Sequence, residues 1–267
     1  MRGALVIALA LVGCQFRGGA ANGSDGAPPP RDAARDAPPD VPRDATTTSC
    51  TPIAGGSGAI TVPRLTSAPA IDASDFGDWV ACFIDLSSAN AALVRNEVGM
   101  PASYPSGRFS LEYVGTTLYV AAEVVGVPPL GSAAPPVIYE NASVELYIDG
   151  DGLATAQSYD AHTQQIDVDH NGALQAYSNS SADTLTGVTS SVVTEADDVT
   201  FRMVVAVPAS ALGLAQFASP FGFDVDWSEG NGTSQLAEVY WAQTCSTCTC
   251  GGAYCDAREL GSATIAP

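Results

Sequence analysis

Apolar and polar residues alternate with a period of two through much of the chain. In residues 142–149, Val144, Leu146 and Ile148 share one face of a strand, while Ser143, Glu145, Tyr147 and Asp149, with Asn141 just before, share the other. Residues 221–227 place Phe221, Phe223, Val225 and Trp227 opposite Gly222, Asp224 and Asp226, and Phe201, Met203, Val205 and Val207 line up in the same way. Further short runs rich in Val, Tyr, Phe and Thr occupy 108–114, 117–125, 163–169, 173–177, 187–194 and 198–207. Gly115-Thr116, Asp151-Gly152, Asn171-Gly172 and Asp197-Asp198 supply hairpin turns between them. The only helical turn predicted is 208–214, opened by Pro208 at a first-turn position. The pattern predicts an all-β fold, an antiparallel β-sandwich of jelly-roll or immunoglobulin-like kind. Its apolar faces form the core, Trp227 included, and the acidic faces read as the solvated side of a sheet.

The first residues depart from this pattern. Arg2 is followed by an apolar run from Ala4 to Val12, too short to span a bilayer, and this reads as a signal peptide over residues 1–13. Its end, Leu11-Val12-Gly13-Cys14, resembles the lipobox of bacterial lipoproteins. The resemblance implies that Cys14 is lipidated with palmitate-type chains and becomes the first residue, anchoring the chain to a membrane. Gln15 lacks the aspartate that retains some such proteins at the inner membrane, which implies the outer membrane or cell surface. Residues 14–49 have no apolar periodicity and repeat Arg-Asp-Ala at 31–33, 35–37 and 43–45. Rich in Pro, they bury too little apolar surface to offset their conformational entropy, and they read as a disordered tether. The folded domain is expected over residues 50–267.

Charge and cysteine usage narrow the partners. Signal and tether carry equal numbers of Arg and Asp, so the whole formal charge of −19 resides in the domain. Such a field repels nucleic acid and favours cations or neutral ligands. Besides Cys14 there are Cys50, Cys82, Cys245, Cys248, Cys250 and Cys255, an even set that in an exported protein implies disulfides. Four of them fall in the final segment, which suggests that this segment is stapled back onto the start of the domain. No second pair or nearby histidine completes a zinc knuckle in "CSTCTCGGAYC".

Four segments, in order, resemble the family 9 carbohydrate-binding modules. They are "PAIDASDFGDW" (69–79), "RFSLEYVGTTLYVAAEV" (108–124), "YENASVELYIDGDG" (139–152) and "FRMVVAVPASALGL" (201–214), the last followed by "FGFDVDW" and Trp241. The resemblance implies a β-sandwich that binds sugar without catalysis, commonly with structural calcium. Two aromatic side chains sandwich a sugar in that family, and by position they fall on Tyr139 and Trp241. The carboxylate six residues after the first falls on Glu145, and the polar residue before the second on Glu238. The region where the family carries an arginine holds Gln164, Gln165 and Asp167, which puts Gln165 among the candidate ligand-binding residues. Trp241 also shares strand parity with Ala237 and Val239, an alternative that places it in the core.

The same residues carry other chemical possibilities. "DVDHNG" (167–172) matches the first half of a calcium loop, but the twelfth position is Ser178 rather than Glu. With "DGDG" (149–152) it nominates Asp149, Asp151, Asp167 and Asp169 as calcium ligands, against a reading as acidic hairpin turns. Glu145 and Asp149 lie about 13 Å apart along an extended strand, too far for a glycosidase pair. His162 and His170 have no nucleophile motif beside them. The sequence thus points to a surface-displayed, noncatalytic carbohydrate binder with no nucleic-acid role. The alternative is a structural or protein-interaction module of the envelope that keeps the scaffold without the sugar.

Overall fold

The computed structural model describes residues 58–96, 103–179, 181–242 and 252–267. The strands are β1 (Ala59–Val62), β2 (Arg64–Leu65), β3 (Ile84–Leu86), β4 (Leu93–Asn96), β5 (Ser106–Val114), β6 (Thr117–Val125), β7 (Ser143–Asp149) and β8 (Thr163–Asp169). They continue as β9 (Leu174–Ser178), β10 (Ser181–Asp183), β11 (Thr189–Thr194), β12 (Thr200–Pro208), β13 (Phe221–Gly230), β14 (Gln235–Tyr240) and β15 (Gly261–Ile265). A nine-stranded sheet runs β1-β15-β13-β7-β8-β9-β10, with β14 on the far end of β13 and β4 beside β14. A six-stranded sheet runs β11-β12-β6-β5-β2, with β3 also on β5. All pairings are antiparallel except β1 with β15 and β2 with β5.

The predicted alternation builds the core between these sheets. Register sets Val144 opposite Trp227, Leu146 opposite Val225 and Ile148 opposite Phe223. Phe109 of the six-stranded sheet meets Trp227 and Trp241 edge-on, at 6.2 and 5.7 Å between ring centroids. The Trp227 indole donates to the Leu86 carbonyl at 3.1 Å, so its one polar atom is satisfied in the interior. Among the described residues no α-helix forms. Pro208 ends β12 and precedes a 3₁₀ turn, Ala209–Leu212, which Gly213 closes in the left-handed region.

Two features differ from expectation. Strands β7 and β8 are joined by residues 150–162 rather than by a tight Asp151-Gly152 turn. The larger difference concerns the acidic face of the nine-stranded sheet, which is not wet. Every residue of β7, β8 and β13 is buried on both faces. The segment 252–260 packs across that face, where Ala253, Ala257 and Leu260 cluster with Tyr147, Tyr159 and Tyr240. The Tyr159 hydroxyl donates to Ala253 O at 2.6 Å, and Ala257 N donates to Gln157 O at 2.9 Å. The end of the chain thus lies over the strands and then joins the sheet through β15. Cys50, Cys245, Cys248 and Cys250 lie outside the described residues, as do Cys14 and the tether.

Candidate functional site

Side chains that alternate outward from β7, β8, β13 and β14 converge on one spot. Cross-strand pairing sets Glu145 beside Asp226 on one side and Asp167 on the other, and β14 brings Glu238 alongside. All four carboxylates are buried. Oxygens of Glu145, Asp226 and Glu238 lie within 4.8 Å of one another. Tyr147 donates its hydroxyl to Glu145 at 2.6 Å and Tyr240 donates to Glu238 at 2.6 Å. The Gln165 amide donates to Glu145 at 2.9 Å and to Asp167 at 3.0 Å.

Above this layer opens a cavity of about 270 Å³, lined by Arg95, Tyr139, Glu145, Gln165, Tyr177, Gln235, Glu238 and Tyr254. Its wall is built from separate elements. Tyr139 sits on the 3₁₀ turn Ile138–Glu140, which Gly232 anchors by donating to Glu140 O at 2.7 Å. Gly230 lets that turn approach, since a Cβ there would stand 2.1 Å from the Glu140 carbonyl. Tyr177 of β9 meets the Tyr139 ring edge-on at 5.9 Å. Tyr254 comes from the covering segment and lies 4.6 Å under the Arg95 guanidinium. Arg95 bonds Glu238 at 2.9 Å, its partner in the β4–β14 register.

Burial dominates the electrostatics. It pushes Glu145 up from the usual carboxylate range to about 8, helped by the adjacent Glu238 carboxylate. Asp167 and Asp226 are raised well above that range by burial and then by Glu145. The hydroxyls of Tyr147 and Tyr240 are likewise raised by burial, so both stay protonated as donors.

Of the residues singled out from sequence, Tyr139, Glu145, Gln165 and Glu238 line this one cavity. Trp241 does not. It is wholly buried between the sheets, 5.7 Å from Phe109 and 6.1 Å from Phe223, so the parity with Ala237 and Val239 places it in the core. Tyr177 and Tyr254 supply the further aromatic surface. Arg95, Tyr177, Gln235 and Tyr254 were not singled out. Arg95 lies on a four-residue strand too short to carry a pattern, and Tyr254 in a cysteine-rich segment without one. β4 thus brings a guanidinium to the cavity wall, where β8 contributes the Gln165 amide.

The acidic turns separate as well. Asp149, Asp151 and Asp160 bring carboxylate oxygens within 4.8 Å of one another. Burial and the neighbouring Asp151 raise Asp149 to about 7. Asp167 and Asp169 do not join that group. Asp169 closes the β8–β9 hairpin, accepting from Asn171 N at 3.0 Å and Ala173 N at 2.8 Å, and its other oxygen accepts from Asn141 at 2.7 Å. Residues 167–172 therefore form a hairpin turn instead of half a calcium loop, and Asp167 belongs to the carboxylate layer under the cavity.

A two-sheet sandwich with a tyrosine-walled, amide- and carboxylate-floored pocket defines a small-ligand binding module. The chain belongs to the family described as carbohydrate family 9 binding domain-like, whose model matches residues 84–266. Similar solved structures include a family 9 carbohydrate-binding module from Caldicellulosiruptor kristjanssonii in complex with cellotriose. It is 16% identical with a TM-score of 0.59, over 78% of this chain and 93% of that one. The same module in complex with glucose matches with equal identity and TM-score, over 78% of this chain and 95% of that one. These likenesses show the fold. None of the curated proteins matches the chain.

Proposed function

We propose that this protein binds carbohydrate in the tyrosine-walled cavity and does so without catalysis. The observation that carries the reading is the pairing of aromatic walls with a polar floor. Tyr139, Tyr177 and Tyr254 offer apolar surface, while Glu145, Gln165, Gln235, Glu238 and Arg95 offer hydrogen-bond partners in the same cavity. A sugar ring has that same division, with C–H faces above and below and hydroxyls around its rim. Membership of a carbohydrate-binding family, and the glucose and cellotriose held by the similar modules, support a glucan or a related neutral sugar. Pull-down of the full chain on a panel of polysaccharides, followed by calorimetry with the matching oligosaccharide, tests it. Retention on a glycan, with an affinity that Tyr139→Ala lowers about tenfold or more, is the expected result. Retention on none of them would favour an envelope interaction module instead.

The remaining roles belong to the same reading. Cys14 carries the lipid anchor, the Pro-rich segment spaces the domain from an outer membrane or cell surface, and the six other cysteines form disulfides. Intact-mass measurement of the exported protein, with and without reduction, tests the acyl chains and the disulfides together. Asp149, Asp151 and Asp160 form a calcium site that ties the 150–162 connection to β7. Their fit rests on hard oxygen ligands and on Asp149 Oδ1, which is buried without a hydrogen-bond partner. Calcium at a hundredfold excess over its Kd would add about 2.7 kcal/mol to stability. A calcium-induced rise in melting temperature that is clearly smaller in Asp151→Asn than in the wild type is the expected pattern.

A further inference from the structure

The floor of the cavity carries more negative charge and more acceptor capacity than its surroundings balance. Asp226 is wholly buried, and its Oδ1 has no hydrogen-bond partner. Its other oxygen is served only by a long contact, 3.4 Å, from the Tyr147 hydroxyl. Asp167, equally buried, leaves Oδ2 without a partner. The Gln235 amide nitrogen has two hydrogens but faces three acceptors, Ser228 Oγ at 2.8 Å and Glu145 and Glu238 at 3.2 Å each. Arg95 brings one positive charge against Glu145, Asp167, Asp226 and Glu238, and it also donates to Tyr254 at 3.0 Å. Buried carboxylates at this density require either bound protons or a cation.

We propose that Glu145, Asp226 and Glu238 hold a hard divalent cation, calcium by the chemistry of its ligands, at the floor of the cavity. Calcium binds oxygens at about 2.3–2.6 Å, so oxygens across the ion from each other lie up to about 5 Å apart. The three carboxylates bring theirs within 4.8 Å. Among the described residues no histidine or cysteine joins this group, which disfavours zinc and copper. Asp226 keeps one buried oxygen, Oδ1, that no protein donor claims. Glu145 and Glu238 both line the cavity, so the ion's open side faces it. There a pair of adjacent sugar hydroxyls completes the coordination shell, a clause that rests on the carbohydrate reading above. The site is distinct from the Asp149, Asp151 and Asp160 group, which lies at the other end of β7.

The test uses chelator-stripped full-length protein, titrated with calcium by calorimetry and with terbium by luminescence. Tyr147 and Tyr240 bond two of the ligands and sensitise terbium emission from this site. In Asp151→Asn/Asp160→Asn protein, one equivalent of calcium and tyrosine-sensitised terbium emission are expected to persist. Adding Asp226→Asn should weaken that equivalent at least a hundredfold. A double variant that binds no ion overturns the proposal, as does an affinity unchanged by Asp226→Asn. Where Asp226→Asn prevents folding, the double variant alone decides. Ion binding without any glycan binding leaves the proposal standing and removes the sugar reading. Glycan binding undiminished by chelation overturns the role of the hydroxyls.

Discussion

Strands β7, β8 and β13 present two buried faces of opposite chemistry. The inner face carries Val144, Leu146, Ile148, Ile166, Val168, Phe223, Val225 and Trp227. The outer face carries Glu145, Asp149, Asp167, Asp169, Asp224 and Asp226, buried to a similar degree. Burial on the inner face is the fold's driving force, at roughly 1.5–3 kcal/mol for each large apolar side chain. On the outer face burial raises carboxyl groups out of their usual range and leaves oxygens on Asp167, Asp224 and Asp226 without partners. Equal burial therefore has opposite energetic meaning on the two sides. The inner face is where stability is made, and the outer face is where ligand chemistry is stored at a cost to stability.

Substitutions can test that contrast. The largest effect is expected on the inner face, where Trp227→Ala should cost about 3–5 kcal/mol in urea unfolding while Trp227→Phe costs much less. Arg95→Ala comes next. It leaves Glu238 buried without this cation and should lower stability by about 3 kcal/mol, with sugar affinity falling too. Tyr139→Ala should weaken sugar binding about tenfold or more, roughly 1.4 kcal/mol, with little change in unfolding. A comparable loss of binding from Trp241→Phe would contradict its place in the core. The smallest effect is expected at Glu259, which is buried with both carboxylate oxygens unpartnered. Glu259→Gln should be neutral or stabilising by about 1 kcal/mol at pH 7.

A pH series sharpens the same contrast. Burial raises Glu229 from its ordinary value of 4.5 to about 8, although its carboxylate accepts from Val127 N at 2.6 Å. The folded protein therefore holds this proton more tightly than the unfolded chain. The stabilisation is complete below pH 4.5 and is lost as pH rises through about 8. Glu229→Gln should flatten the fall in unfolding free energy between these values, whereas Phe223→Leu should lower the whole curve without changing its slope.

Much of the inner layer was legible along the chain. Alternation at 201–207 and 221–227 placed Phe201, Met203, Phe223 and Trp227 on buried faces, because a period of two sends every second side chain to one side of a sheet. The same rule assigned Glu145, Asp224 and Asp226 to the other side, and that was correct. Whether that side met water depended on what lies over it. The covering segment 252–260 is more than a hundred residues from β7 in sequence and has no strand or helix pattern, so the dryness of the acidic layer was not legible. The missing short strands β3, β4 and β15 went unread for a related reason. With only three to five residues each, they carry too few alternations to register.

Resemblance to the family nominated Tyr139, Glu145, Gln165 and Glu238, which line one cavity, while alternation along the chain fixed the class of fold and the inward faces of its long strands. Local chemistry suffices for the fold class and the strand faces, since backbone pleat and side-chain polarity act within a few residues. Long-range packing, by contrast, turns Trp241 into the core, sets Asp160 rather than Asp167 with Asp149 and Asp151, and completes the pocket with Arg95 and Tyr254. Those outcomes depend on strands distant in sequence being paired side by side. Pairing across such separations is set by the packing of the whole sandwich, which no local pattern contains.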